Sequence, residues 1–400
     1  MKYNIWNEER IPLTECLDFI VDNRGKTVPT ADEGIKLIAT NCILNNSLYP
    51  VYEKIRYVSQ DTYDNWFRSH PMPGDIIFVN KGTPGKVCLV PEVIDFCFAQ
   101  DMMAFRTKKE IYNKYLFAIL RSSIIQNQIA NSTVGTLIPH FKKEQLKDIY
   151  IPIVNYDVQK KIGDIYFKLC QKIELNKEIN KNLHDLAEQQ FNKIYSRGTP
   201  KKLNELLFNV STGSRPKGGA QESGIPSIGA EKIEKFGVYD YSTEKYISED
   251  YYETLKNGKL KNGDVLLYKD GAYTGKVSMC LNGFPHNKAA VNEHVFILNT
   301  ENNWAQNYLY FTLYNKDNKE IIHRLASSKA AQPGLNQAEL KSIEVNICNK
   351  EDIITFENNI KPIVEKIALN SLENKKLAEL RDILLPKLMN GEIDLDKIEI

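Results

Sequence analysis

The stretch GDIIFVNKGTPGKVCLV occupies residues 74–90, and GDVLLYKDGAYTGKVSMC occupies residues 263–280. They begin 189 positions apart and share Gly-Asp, an apolar run, a Gly-rich polar turn and Gly-Lys-Val. The match extends outward from there. EQLKDIYI and AELKSIEV align through Leu146 and Leu340, 194 positions apart. That offset also places Pro139 on Pro333, Leu175-Asn176 on Leu369-Asn370, Leu183 on Leu377 and Leu186 on Leu380. Upstream, LTECLDF at Leu13 aligns with LNELLFN at Leu203, an offset of 190. An interval this long is no solenoid period, so the chain is one module written twice, with small loop insertions between the copies.

Each copy opens with short apolar runs bounded by Gly, Asn and Asp, which read as strands and turns. Each closes on a long stretch with little punctuation, about 158–195 and 351–390. In the first, Val158, Ile162, Ile165, Leu169, Ile179, Leu183 and Leu186 recur at steps of three, four and their sums. In the second, Phe356, Ile360, Ile363, Ile367, Asn370, Leu377, Leu380 and Leu384 do the same. A 3.5-residue period held this long predicts a coiled-coil seam. Asn176 and Asn370 occupy equivalent places: either buried amides that set register or solvated polar residues. Pro362 and Pro386 predict a kink or a boundary in the second helix.

Composition bounds the rest. The chain has 400 residues, 42% hydrophobic and 26% charged, ample for two or three cored domains and unlike a disordered or collagen-like chain. A formal net charge of +1 excludes a large field for bulk, sequence-blind nucleic-acid binding, so any such contact needs local basic patches. Seven scattered cysteines without a CxxC pair predict reduced, mostly buried thiols. The N-terminus lacks the apolar run of a signal peptide, and no stretch reaches the roughly 18 apolar residues of a membrane span. The expectation is a soluble cytoplasmic chain with no membrane association.

Few motifs carry chemistry. KGTPGK (81–86) and KDGAYTGK (269–276) have two and three residues between their glycines and Val after the last Lys. A nucleotide-binding phosphate loop needs four, then Ser or Thr. The alternative is a Gly-rich tip between two strands that presents Lys81, Thr83, Lys86, Lys269, Tyr273 and Lys276 to a polyanion. NRGKTVP (23–29) and TGSRPKGG (212–219) are a second basic, turn-forming pair, which adds Arg24, Lys26, Arg215 and Lys217. No HExxH, zinc-like Cys/His spacing, GxSxG elbow or GxGxxG fingerprint occurs, so neither a metal nor a catalytic residue is expected. Asp75 and Asp264 read as turn residues after Gly.

Taken together, these residues resemble the DNA specificity (S) subunits of type I restriction-modification systems. The resemblance rests on the GD…K-x-G…GKV signature in both halves, the entry TGSRPKGGAQESGIPSIGAEKI, and the C-terminal LLPKLMNGEI (384–393). It covers essentially the whole chain. It implies an α+β fold with pseudo-twofold internal duplication: two globular mixed α/β target recognition domains separated by two long helices forming an antiparallel coiled coil. The expected boundaries are a first recognition domain at 1–150, a first spacer helix at 151–199, a second domain at 200–348, and a second helix with the tail at 349–400. The seam would be Ile162, Ile165, Leu169, Asn176, Leu183 and Leu186 against Ile363, Ile367, Asn370, Leu377, Leu380 and Leu384. A helix of about 38 residues spans roughly 57 Å, longer than the roughly 34 Å of one DNA turn.

The resemblance further implies a non-catalytic chain that reads a split, asymmetric target in double-stranded DNA. Two modification subunits would bind it and supply S-adenosylmethionine and adenine methylation. Motor-nuclease subunits would add ATP- and Mg-dependent restriction. The second helix departs from the pattern at its entry: Val345-Asn346 and NKEDIITF stand where the first half has Ile151-Pro152 and Gln159, so a different start is expected. Three other readings remain: a single-chain nuclease or methyltransferase, a specificity chain of another restriction class, and a two-domain protein-binding scaffold.

Overall fold

The computed structural model describes residues 4–23, 25–132, 138–327 and 334–395. It divides into two compact units, Met1–Glu174 with Leu377–Ile400, and Leu175–Lys376. Each unit therefore takes one globular part and a portion of both long helices, a division different from the four segments expected.

The duplication read from the sequence is repeated strand by strand. In the first unit an antiparallel sheet runs in the order Leu17–Val21, Met102–Thr107, Ile76–Val79, Val87–Leu89. In the second, the order is Asn209–Thr212, Val295–Asn299, Val265–Tyr268, Val277–Met279. A mixed three-stranded sheet accompanies each: Arg56–Val58, Ile35–Ile38, Phe96–Phe98, and Tyr246–Ile247, Ile225–Ile228, Ala290–Val291. A short antiparallel pair joins the start of each module to its end, Arg10–Pro12 with Tyr150–Pro152 and Thr199–Lys202 with Glu344–Ile347. Two consecutive helices complete each module, Asn113–Arg121 with Ser123–Asn131, and Gln306–Tyr314 with Lys316–Ser327.

The apolar runs at 76–79 and 265–268 lack polar alternation because both faces of each strand are covered. Ile76 and Phe78 pack with Met103, Phe105 and the helix residues Leu116 and Leu120. Ile77 and Val79 face Ile38, Phe96 and Phe98 of the neighbouring sheet. The second unit repeats this, with Val265 and Leu267 in the helix-side core and Leu266 beside Ile228 and Val291. All seven cysteines are free and buried.

The long helices span Tyr156–Tyr195 and Lys350–Met389, each of 40 residues. Their starts are 194 positions apart, so the second does not begin differently despite its divergent entry. Pro362 lies exposed inside an unbroken helix, and Pro386 stands three residues before its end. Within the second unit the two helices run antiparallel, tied by amides. The Asn176 side chain donates to Glu373 at 2.8 Å and to Asn374 at 2.9 Å. Asn370 donates to Asn180 at 2.9 Å, and Asn180 donates to the Ile367 carbonyl at 3.1 Å. Asn176 and Asn370 are thus both buried, which decides between the two readings left open. Among the described residues, no helix is long and apolar enough to cross a membrane.

The expected leucine seam needs correction. Ile162 and Ile367 are buried, but Ile165, Leu169, Leu183, Ile363, Leu377 and Leu384 are half-buried, and Leu186 and Leu380 stand 44% and 45% exposed. On the first helix the buried positions are Gln159, Ile162, Gly163, Tyr166, Cys170, Ile173, Asn176, His184, Ala187 and Phe191. They keep the 3.6-residue period of a straight helix because this face also covers globular core, as Phe191 does against Tyr308 and Phe311.

Both long helices dock on the start of the first of the paired helices, by different means. The Tyr115 hydroxyl donates to the Pro152 carbonyl at 2.8 Å, and its counterpart Tyr308 donates to the Asn346 carbonyl at 3.0 Å. Opposite Tyr115 stands Gly163, where an added Cβ would lie 2.6 Å from the Tyr115 backbone nitrogen. At the matching place, 194 residues on, Glu357 accepts the Tyr308 backbone N–H at 2.8 Å and the Asn307 side chain at 2.6 Å. Burial pushes the Glu357 carboxyl up to about 7.

Two outcomes are expected. Gly163→Ala must separate backbone from backbone and should cost about 1–3 kcal/mol, read as a lower urea midpoint for the first unit. Glu357 retains its proton in the folded chain between its ordinary 4.5 and about 7, where the unfolded chain has lost it. Its contribution is complete below pH 4.5 and is lost as pH rises through 7. Glu357→Gln should therefore narrow the stability gap between pH 5 and pH 8, measured by denaturation of the second unit at both.

Candidate nucleic-acid interface

The two Gly-rich tips are closed by the same backbone bonds. Gly85 N–H donates to the Val79 carbonyl and Val79 N–H to the Lys86 carbonyl; Gly275 pairs with Tyr268 and Tyr268 with Lys276 in the same way. Gly85 and Gly275 have φ of 94° and 100°, a left-handed conformation that glycine adopts without strain. Lys86 and Lys276 are therefore equivalent. Lys81 and Lys269 are not: Lys81 bridges His140, whereas Asp270 bridges Gly334. Lys269 occupies the place of Asn80, since Phe141 N–H donates to the Asn80 carbonyl and Leu335 N–H to that of Lys269. A shift of one residue along a strand turns the side chain to the other face. The reading of the two lysines as a matched pair is corrected accordingly.

In the first unit Lys81 and Thr83 are exposed and Lys86 is half-buried. The Lys81 ammonium stands 3.8 Å from Asp101, beside a polar hollow of about 550 Å³ also lined by Gly25, Arg68 and His140. Gln100, which lines the same hollow, donates to the Lys26 carbonyl at 3.2 Å, so the 23–29 loop and the tip share one surface. Lys26 is exposed, and Arg24 lies outside the described residues.

In the second unit the ion pairs form a chain. Arg215 meets Glu293 at 3.0 Å, Glu293 meets His294 at 3.3 Å, and His294 meets Asp270 at 3.2 Å, with Lys269 closing on Asp270. Arg215 and Lys269 are thus brought to one network, but their charge is compensated there. Lys269 is half-buried over the Phe296 ring, while Lys217 is exposed. Lys276 pairs with Glu234 and lies 4.7 Å over the ring of Tyr273, which is 62% exposed.

Beside that tip opens a groove of about 760 Å³ whose basic wall the sequence reading missed. Lys316, Lys319, His323 and Arg324 line it, with Glu188 and Glu320 as its acidic members. The four basic residues follow helical i, i+3, i+7, i+8 spacing on Lys316–Ser327. KDNKEIIHR could have disclosed this face, had its helix been placed.

Asp75 and Asp264 are turn residues. Each is buried, and each accepts a backbone N–H three residues earlier, from Met72 at 2.8 Å and Lys261 at 2.7 Å. His184, Asp185 and Glu188 are close enough to offer ligands to one ion. His184 is however a core residue, bonded to the Tyr310 hydroxyl at 2.9 Å, and burial first, then Lys235 and Lys319, press its pKa down to about 3. The same positive field opposes a divalent cation.

Comparison with known proteins agrees with this architecture. Residues 20–185 match the family described as "Type I restriction modification DNA specificity domain". The specificity subunit of the type I restriction enzyme HindI of Haemophilus influenzae is 41% identical over 86 residues, 22% of this chain and 19% of that protein. The MjaIX specificity subunit of Methanocaldococcus jannaschii is 24% identical over 319 residues, 73% of this chain and 71% of its own. The crystal structure of a type I S subunit from M. genitalium superposes with a TM-score of 0.57 at 16% identity, covering 96% of both chains.

A twice-written α+β module with a Gly-rich tip in each copy and two long helices defines a duplicated recognition protein. Residues 20–185 carry the type I restriction-modification DNA specificity domain, and most of the chain is similar to type I specificity subunits, which supports a role in DNA sequence specificity.

Lys276→Ala should weaken DNA binding equally on all sequences and lower the slope of log affinity against log salt by about one unit. Anisotropy titrations on two unrelated duplexes across a salt series check this.

Proposed function

We propose that this chain reads a split, asymmetric DNA target, one part by each unit, and directs adenine methylation or restriction that partner subunits perform. The observation that carries the reading is one strand frame presenting two differently furnished tips: Lys81 and Thr83 in one copy, Asp270 and Tyr273 in the other. Equal frames with unlike contact residues suit two unlike half-sites better than a palindrome. The chain chooses the site and does no chemistry itself; Asp75 and Asp264, its candidate acids, are occupied in turns.

Two modification subunits bring S-adenosylmethionine, and motor-nuclease subunits bring ATP and Mg-dependent cleavage. Exposed apolar side chains on the long helices suit such docking: Leu175, Ile179 and Leu186 in the second unit, and Leu380 and Ile383 in the first.

Methylation-site sequencing of cells carrying this chain with its neighbouring modification subunit tests the proposal. A split motif of two unlike halves, lost when the chain is deleted, is expected. Modification that persists unchanged in the deletion strain overturns it.

A further inference from the structure

The second of the paired helices differs between the modules in one respect that bears on DNA. Gln126 and Ile129 face Gly85 in the first module, while Lys319 and Ile322 face Gly275 in the second, which aligns the two helices at an offset of 193. Buried Ile125 and Ile129 then fall on buried Asn318 and Ile322. On the outward face, Lys316, Asp317, Lys319, Glu320, His323 and Arg324 stand where the first module has Ser123, Ile124, Gln126, Asn127, Ala130 and Asn131. One face is basic and its counterpart carries no charge.

We propose that the groove between this helix and the second tip, lined by Lys276, Lys316, Lys319, His323 and Arg324, is a phosphate clamp for the DNA backbone. Among the described residues the first module has no equivalent, so one half of the target anchors the complex while the other chiefly discriminates. This deepens the DNA-reading function proposed above and rests on it.

Several features fit a backbone anion. Lysines spaced along a helix face neutralise phosphates without reading bases. The tip's own lysine, Lys276, and the exposed ring of Tyr273 continue the groove at its mouth. Burial pushes the Glu188 carboxyl above its usual range. Lys319 is held half-buried, its ammonium 3.5 Å over the Tyr314 ring.

Burial lowers the Lys319 pKa to about 8. Glu188 and Glu234 raise it and Lys235 lowers it, with Lys316, Glu320 and His323 as neighbours on its own helix. A phosphate would favour the charged form, so binding takes up a proton.

The test uses the complete chain assembled with its modification subunit, on a duplex bearing the motif found by methylation sequencing. Lys316→Gln, Lys319→Gln and Arg324→Gln together should weaken binding about 10-fold or more and lower the salt slope by about two to three units, leaving the motif unchanged. Should the triple variant fold poorly, Lys316→Gln with Arg324→Gln, both exposed, should lower the slope by about two. Ser123→Lys with Asn131→Arg in the first module should raise the slope. Wild-type affinity should fall between pH 7 and pH 9 more steeply than that of Lys319→Arg.

Unchanged affinity and slope in the variants, with wild-type binding to the split motif intact, overturns the clamp and leaves the DNA-reading function standing. Loss of assembly with the modification subunit at undiminished DNA binding overturns it in favour of a protein-docking groove. A wild-type complex with no preference for any motif defeats the function and the clamp together.

Discussion

Burial of one strand on both faces is the constraint on which each module depends. Ile76–Val79 and Val265–Tyr268 pack helices on one side and a second sheet on the other, and neither side tolerates a slipped register. The turn that follows is therefore held at a fixed point of the fold, and a flexible Gly-rich sequence becomes a defined tip. The same constraint makes a one-residue difference in the lysine's place consequential. With the strands fixed, Lys269 takes the place of Asn80, half-buried against Asp270 and the Phe296 ring, while Asp270 takes the place of the exposed Lys81.

The junction between module and long helix shows two answers to one packing problem. In the first unit a glycine lets backbones approach, and Gln159 accepts the Tyr112 N–H at 2.8 Å. In the second, a buried carboxylate does the accepting. Glycine adds no titrating group, whereas Glu357 couples the junction to pH through its raised pKa. Where the helices meet each other inside the second unit, Asn176, Asn180 and Asn370 exchange hydrogen bonds. Such bonds specify one register, since a shift would leave buried amides unsatisfied.

The near-neutral composition conceals a local pattern. Most basic residues at the tips are compensated by an acid within 4 Å, as Lys81 is by Asp101 and Arg215 by Glu293. Compensation lowers non-specific attraction and leaves hydrogen-bonding groups for discrimination. The helix face from Lys316 to Arg324 carries two lysines, an arginine and a histidine against Asp317 and Glu320.

By itself, the sequence determined the duplication, the strand runs, the two long helices and their equal place in each copy, and the roles of Asp75 and Asp264 as turn residues. These follow from local pattern: periodicity, turn chemistry and repeated order are properties of neighbouring residues. The sequence also disclosed the resemblance to type I specificity subunits, because its signatures recur at fixed spacing. Tertiary structure alone decided which lysines are equivalent, because register is fixed by partner strands and not by loop spelling. It replaced the regular leucine seam with buried positions on a 3.6-residue period, since these helices cover domain cores as well as each other. It also brought 316–324 beside 273–276, residues some 40 positions apart whose shared groove no local pattern encodes. Burial and long-range contact are properties of the folded chain, and the candidate site is made of both.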